Sequence, residues 1–421
     1  MLDQPAIGML SGAALLGAAG LRAGLAAHSG RRAKRRKADQ RSHQQREFNT
    51  QLEAALQWAK ASQPALKAWQ GTRPFCVTAI VDEAFHCRSY YLEPTDGQPL
   101  PSFAPGQYLT FHLPTGDPQR PLVRCYTLSD RWRSDRYRVT IKHALPPANS
   151  PGIPAGLGSS YFHQHVAVGS TLECEAPQGC FFFDTSDSLP VVFIAGGIGM
   201  TPMMSMIVSL AQRQDMRDAW LFAGFRNGDE RLFAGELLKL REQLPKLRVR
   251  TAYSRPSSAD HARGNGTLAG YDHCGYIDLD YLQSELGTNN YRFYICGPPA
   301  MMQSLVPAIW AWGVPREHVH FEAFGPATIS GIDTLDREPC DVKFTGTGET
   351  VRWTSDQETI LAAAQHAGID LPSGCRAGNC GQCRVKVLAG SVSHVKPPGV
   401  ELGEGECLAC IAVPEGDVVL E

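Results

Sequence analysis

The sequence predicts a multidomain fold: a hydrophobic N-terminal helix, an antiparallel β-barrel, an α/β lobe around a parallel sheet, and a small α+β domain at the C-terminus. Three observations predict it. The length of 421 residues exceeds one ordinary core. Short alternating runs between Gly/Pro-rich turns fill the region from about Trp69, then give way to longer apolar runs that end in glycine turns. Five of the 13 cysteines crowd into residues 375–410.

Composition narrows the class. Hydrophobic residues at 43% and charged residues at 19% are those of a folded, largely soluble protein. The net charge of -2 gives no ground for a nucleic-acid partner, and none is expected. Charge is nevertheless uneven: residues 1–50 carry nine Lys/Arg against three Asp/Glu, whereas residues 338–421 carry six against twelve. The cysteine number is odd and the chain long, which argues against a secreted disulfide scaffold. Cys76, Cys87, Cys125, Cys174, Cys180, Cys274 and Cys340 read as ordinary thiols, with Cys296 set apart by its surroundings.

Pro5 to Leu21 is a run of 17 uncharged residues, extended past Arg22 to Ala27 and followed by RRAKRRK at Arg31 to Lys37. A spanning helix needs about 20 apolar residues and tolerates about 17. Residues 1–30 are therefore expected to anchor the chain in a membrane. The basic run would hold the remainder on the cytoplasmic side. The competing readings are a soluble Ala/Gly-rich helix or tail, and a cleaved signal peptide, which lacks its basic start here. Residues 31–71 read as a basic, helical stalk.

The barrel is expected over residues 72–187, with strands in FCVTAIV, YLTFHL and YRVTIKH. Within it lies RCYTLSD, Arg124 to Asp130. In an extended segment Arg124 and Tyr126 face one side, Cys125 and Thr127 the other. A guanidinium suits a phosphate, and a flat ring can cover a planar cofactor. PGQY at Pro105 to Tyr108 precedes this stretch; IKH at Ile141 to His143, GLGSSYFH at Gly156 to His163 and VGSTLECEAPQGCF at Val168 to Phe181 follow it.

This ordered series resembles the flavin domain of the ferredoxin–NADP reductase superfamily, most of all its flavohaemoglobin-type and oxygenase-reductase branch. The resemblance implies that Arg124 meets the flavin phosphate, that Tyr126 lies against the isoalloxazine ring, and that Thr127 bonds near flavin N5. It implies cofactor contacts from Tyr108, Ser129, Lys142, Gly158 and Ser159 as well. Ala155 stands where relatives often have a further glycine. The texture of residues 156–181 favours FAD, with FMN as the alternative.

Residues 188–325 read as the nucleotide lobe. VVFIAGG is a continuous apolar run, as in a buried parallel strand, and GGIGMTP follows it into a helix. Glycines at such a turn let the backbone approach a pyrophosphate. AWLFAGF, LRVRTAYSR and RFYICG supply further strands, and YICGPPAMM repeats the strand–glycine turn. The same superfamily has these two motifs. Gly196, Gly197, Gly199, Thr201 and Pro202 match the first, and Cys296, Gly297 and Pro298 the second. The implied roles are dinucleotide binding and placement of the nicotinamide over the flavin. In VHFEAFGPA, Glu322 and Phe324 would flank the flavin ring. Arg226 and Arg255 fall where a 2′-phosphate could sit, and the choice between NADH and NADPH stays open.

After a linker at 326–338, residues 339–421 contain two strand-like runs, a helix at Glu358 to His366 and the cysteine loop. Cys375, Cys380 and Cys383 have the C-x4-C-x2-C spacing of a plant-type [2Fe–2S] site. Cys380, Cys383, Cys407 and Cys410 also spell a zinc-ribbon pattern. Zinc leaves Cys375 idle and gives no reason for Gly378 and Gly381, which would aim backbone N–H groups at a cluster. The region resembles the β-grasp ferredoxin modules fused to these reductases. Their last ligand position falls on Cys410, and Cys407 becomes an extra cysteine.

The resemblance implies an NAD(P)H-dependent oxidoreductase that moves electrons from NAD(P)H to flavin, to the cluster, and to an acceptor with a basic docking face. The Thr127, Cys296 and Glu322 side chains are the candidates nearest the chemistry. An oxygenase, hydroxylase or desaturase component is the first choice of acceptor. A quinone-feeding dehydrogenase and a non-catalytic redox carrier are the alternatives.

Overall fold

The computed structural model describes residues 68–114, 121–146, 154–263, 270–324 and 337–421, apart from positions 358, 375, 379, 380, 396 and 397. The expected anchor and most of the expected stalk and linker lie outside the described residues. Among the described residues no helix is long and apolar enough to cross a membrane.

The first domain is a six-stranded antiparallel sheet of β1 (Thr72–Ala84), β2 (Cys87–Pro94), β3 (Tyr108–Leu113), β4 (Leu122–Thr127), β5 (Tyr137–Lys142) and β6 (Thr171–Glu175). Its order is β4-β3-β6-β1-β2-β5. The outer strands meet where Leu128, just past β4, bridges Val139 of β5, so the sheet closes on itself. Two register irregularities bend the long β1 against β2. The inward positions pack Phe75, Tyr90, Leu92, Leu109 and Phe111 around Phe162 of helix α1 (Leu157–His165).

The second domain is a parallel sheet of β7 (Val191–Gly196), β8 (Ala219–Phe225), β9 (Leu247–Tyr253), β10 (His273–Cys274), β11 (Arg292–Gly297) and β12 (Val319–Ala323). Its order is β10-β9-β8-β7-β11-β12. Around it lie α2 (Met200–Gln212), α3 (Ala234–Gln243), α4 (Ser258–Arg263), α5 (Leu279–Leu286) and α6 (Pro299–Ala311). Successive strands run outward from β7 to β10, after which the chain returns to place β11 on the other side of β7. The carboxyl ends of β7 and β11 therefore form the switch-point crevice where open α/β sheets bind ligands. Both expected glycine turns lie there.

The C-terminal domain has β13 (Cys340–Phe344), β14 (Thr350–Trp353), α7 (Ile360–His366), β15 (Arg384–Ala389), β16 (Val392–His394), β17 (Glu406–Leu408), β18 (Ala412–Pro414) and β19 (Val418–Leu420). A five-stranded mixed sheet, β14-β13-β19-β15-β17, encloses a core built on Trp353, Ile360, Leu361 and Ile411. Helix α7 starts where the Thr359 hydroxyl accepts the Ala362 N–H at 3.3 Å.

Candidate functional site

Neighbouring antiparallel strands bring the expected flavin residues together. Tyr108 of β3 pairs with Thr127 of β4. The Tyr108 ring covers Gly179 so closely that a Cβ there would stand 2.7 Å from a ring carbon. Arg124 and Tyr126 share one side of β4, as the strand period requires. Gly158, in the first turn of α1, sits directly on both: a Cβ would meet Arg124 Cγ at 2.6 Å and Tyr126 Oη at 2.8 Å. The Tyr126 ring meets Phe162 edge-on at 5.1 Å, and burial raises its hydroxyl far above the ordinary phenol range. Ser159 is buried and bonds backbone: its hydroxyl donates to Gly156 O at 2.9 Å and accepts the Ala144 N–H at 3.0 Å. It ties α1 to the end of β5. Helix α1 has no side-chain cap at Gly156, and its first turn holds Gly158 against Arg124.

The two nucleotide-lobe turns meet backbone to backbone. A Cβ on Gly199 would lie 2.1 Å from Cys296 O, and one on Gly196 would lie 2.6 Å from Pro298 Cδ. Gly297 is held as tightly, since a Cβ there would be 2.7 Å from Met301 Sδ. Gly197 is different. It has φ +56 and nothing within 4 Å of its Cβ position, so its bare backbone borders open space. The Thr201 hydroxyl donates to Ile198 O at 3.0 Å and Pro202 is buried, both bracing the turn into α2. Cys296 of β11 is fully buried and pairs with Glu322 of β12, itself buried, while Phe324 packs half-buried on the same core.

Two further expected cofactor residues have protein partners. The buried Ser129 hydroxyl lies 2.8 Å from Thr140 Oγ1 and 3.2 Å from Arg138 Nε. Lys142 Nζ donates to Glu230 Oε2 of the nucleotide lobe at 2.7 Å. Glu230 also lies 3.4 Å from Arg226, one of the two arginines expected near a 2′-phosphate; Arg255 is exposed after β9.

Cys375 and Cys380 lie outside the described residues. Cys383 and Cys410 are both buried. The Gly378 N–H donates to Cys410 Sγ at 3.2 Å, and Ala409 N–H donates to Cys383 O at 2.9 Å. The loop bends through positive φ at Arg376, Gly378 and Gly381. Gly378 is pressed on Ile411, whose Cδ1 would stand 2.5 Å from a Cβ. A glycine-shaped loop that aims an amide at a cysteine sulfur fits an iron–sulfur cluster, whose sulfurs are tuned by such hydrogen bonds. Cys407 instead points into the core: it is fully buried, opposite Val385 between β15 and β17. Sequence reasoning did not show that Arg124 Nη1 donates to Gly374 O at 2.8 Å, beside Cys375. No local pattern links residues 250 positions apart.

Residues 193–306 match the oxidoreductase NAD-binding domain, and residues 342–415 match the 2Fe-2S iron-sulfur cluster binding domain. A flavohemoprotein of Halalkalibacterium halodurans is 34% identical over 64% of this chain and 64% of its own length. The chain thus spans slightly under two thirds of the curated relatives it matches. The flavohem-like FAD/NAD-binding domain of a nitric oxide dioxygenase from Vibrio cholerae superposes over 61% of this chain and all of its own. Its TM-score is 0.52 and its identity 28%. Phthalate dioxygenase reductase shares the fold over 83% of this chain and 98% of its own, with a TM-score of 0.51 and 23% identity. With these two domains in this order behind a closed antiparallel sheet, the chain carries an oxidoreductase NAD-binding domain followed by a C-terminal 2Fe–2S domain, and is similar to reductases of the ferredoxin–NADP reductase type.

Proposed function

We propose that this protein is an NAD(P)H-dependent electron-transfer reductase. It passes electrons from the nucleotide through FAD and a [2Fe–2S] cluster to an oxygenase, hydroxylase or desaturase component. The observation that carries this reading is the Arg124–Gly374 hydrogen bond, which joins the candidate flavin site to the candidate cluster loop. The likeness to a reductase titled for electron transfer from pyridine nucleotides to [2Fe-2S] supports it at the level of fold. FAD is supported by the Vibrio cholerae FAD/NAD-binding domain, which this chain covers in full.

When bound, the flavin turns a two-electron hydride into single electrons, and the cluster carries them one at a time. The protein's part is placement. Arg124 takes the phosphate, beside the first N–H groups of α1. Tyr126 and Tyr108 cover the ring system and exclude water, and the Thr127 hydroxyl holds the ring edge. The bare backbone at Gly197 admits the pyrophosphate, while Cys296 and Glu322 border the nicotinamide. Cys375, Cys380, Cys383 and Cys410 hold the cluster. Exposed Asp370, Glu401 and Glu404 on the C-terminal domain would favour a basic face on the acceptor, at a rate that falls with salt.

Anaerobic titration with NADH and then NADPH tests the scheme. Flavin bleaching followed by the EPR signal of a reduced [2Fe–2S] cluster is expected. Zinc in place of iron, or a flavin that neither nucleotide reduces, would overturn it. The N-terminal segment is proposed to hold the full chain at the cytoplasmic face of a membrane. Protein recovered wholly in the supernatant after cell breakage would refute that placement.

A further inference from the structure

Two ion pairs between the closed sheet and the nucleotide lobe lie on one strand. β5 carries Arg138 and Lys142, four residues apart and so on one face of the strand. Opposite them, the segment from Gly228 to Glu236 carries three acids, of which Glu230 and Glu236 meet β5. Arg138 Nη1 donates to Glu236 Oε2 at 2.9 Å and Nη2 to Oε1 at 3.4 Å, a forked pair. Lys142 donates to Glu230 at 2.7 Å, and Phe85 N–H donates to Asp229 O at 2.9 Å. The Arg138 side chain is only 5% exposed.

Its remaining bonds face back into the sheet. Arg138 donates to the Ser129 carbonyl and, at 3.2 Å, to the Ser129 hydroxyl. From Ser129 a chain of hydroxyls continues through Thr140 and Ser89, 2.8 Å at each step, to Glu83 at 2.6 Å. On the other side the guanidinium carbon lies 5.1 Å from the centre of the Phe233 ring. Phe233 is buried and has φ +56 at the start of α3, a conformation that non-glycine residues hold only where surroundings enforce it. A buried ion pair adds little net stability over good apolar packing, but its fixed fork specifies one register.

We propose that Arg138 is a positioning residue for hydride transfer: paired with Glu236 and reinforced by Lys142–Glu230, it fixes the angle at which the nucleotide lobe meets the flavin domain. This rests on the flavin and nucleotide reading above. In that transfer the C4–H bond of the dihydronicotinamide breaks and its hydrogen and both electrons form a bond at flavin N5. The nicotinamide is oxidised as the flavin is reduced. Its rate depends steeply on the alignment of the two reacting atoms.

The test compares the wild-type full chain with Arg138→Met and the gentler Glu236→Gln, which keeps the size of the side chain. Small-angle X-ray scattering of flavin-free protein should show a larger radius of gyration in both variants. In flavin-loaded protein, stopped-flow bleaching at saturating nucleotide should slow about tenfold, with a weaker nicotinamide–flavin charge-transfer band. Flavin content and nucleotide KM should stay within about twofold, because binding is not the step affected. Unchanged scattering and unchanged bleaching in Glu236→Gln overturn the proposal. So does a variant that loses flavin yet bleaches normally when refilled, since Arg138 would then be a cofactor residue. A wild type that neither nucleotide bleaches sinks the reductase reading instead, and the flavin-free scattering still decides whether the pair fixes the lobes.

Discussion

Arg124 Nη1 and Gly374 O are 2.8 Å apart, so a β4 residue of the closed sheet donates to the carbonyl next to Cys375. The same Nη1 donates to Val123 O at 2.8 Å. Both bonds use one nitrogen of a guanidinium that has five N–H groups, which leaves room for a phosphate on its other edge. One side chain can thus hold the cofactor and steady the cluster loop.

Arg124→Ala should therefore have two effects. A hydrogen bond to a charged group contributes about 1.5–3 kcal/mol, so flavin affinity should fall about 10- to 100-fold. In variant protein saturated with flavin, cluster reduction followed by freeze-quench EPR should also slow. Wild-type flavin retention on gel filtration together with a wild-type cluster rate would refute both roles.

Gly158→Ala probes the same corner from the other side. Its new methyl would stand 2.6 Å from Arg124 Cγ and 2.8 Å from Tyr126 Oη, so both side chains must shift. The expected cost falls on binding more than on folding: weaker flavin retention, with a melting temperature of the flavin-free protein within a few degrees of wild type. A large loss of melting temperature without any loss of flavin would show that Gly158 serves the fold alone.

Most of the fold was legible because it follows local rules. YLTFHL is β3 and AWLFAGF is β8, since period-two alternation and continuous apolar runs are readable within a few residues. RCYTLSD places Arg124 and Tyr126 on one side, because strand geometry alone dictates it. The glycine turns were legible as well, and the close approach of Gly199 to Cys296 O supplies their physical reason. Ser129 and Lys142 were expected at the cofactor from their place in a motif. In the structure their hydroxyl and ammonium bond Arg138, Thr140 and Glu230. A side chain's choice between a cofactor and an acid 88 residues away has no local signature. Arg138 carried no sequence signal for the same reason.

His320 gives the nucleotide lobe a defined acid sensitivity. Its ring stacks on Tyr294 at 4.7 Å, and burial, helped by Arg292 and His318, lowers its pKa to about 4. An unfolded histidine titrates near about 6.5. Below that value the unfolded chain binds a proton that the folded chain refuses, so stability falls with pH between about 6.5 and 4. The slope from this group is at most about 1.4 kcal/mol per pH unit, and above about pH 7 it vanishes. His320→Phe should flatten that part of a stability-against-pH curve from denaturant unfolding. An unaltered curve would mean that His320 does not carry the loss.

The last prediction separates Cys407 from Cys410. The two sit three residues apart and both are buried, yet their surroundings differ. Cys410 Sγ accepts an amide hydrogen from Gly378 in the cysteine loop, whereas Cys407 lies fully buried opposite Val385, among apolar side chains of the core. Cys410→Ala should abolish the [2Fe–2S] EPR signal and lower bound iron and sulfide, while the flavin still bleaches with nucleotide. Cys407→Ala should keep full iron, sulfide and signal, and cost only about 1 kcal/mol for the small cavity left behind. Loss of the cluster in Cys407→Ala with retention in Cys410→Ala would reverse the ligand assignment. Loss in both, with zinc bound to the wild type, would instead favour the ribbon pattern of Cys380, Cys383, Cys407 and Cys410.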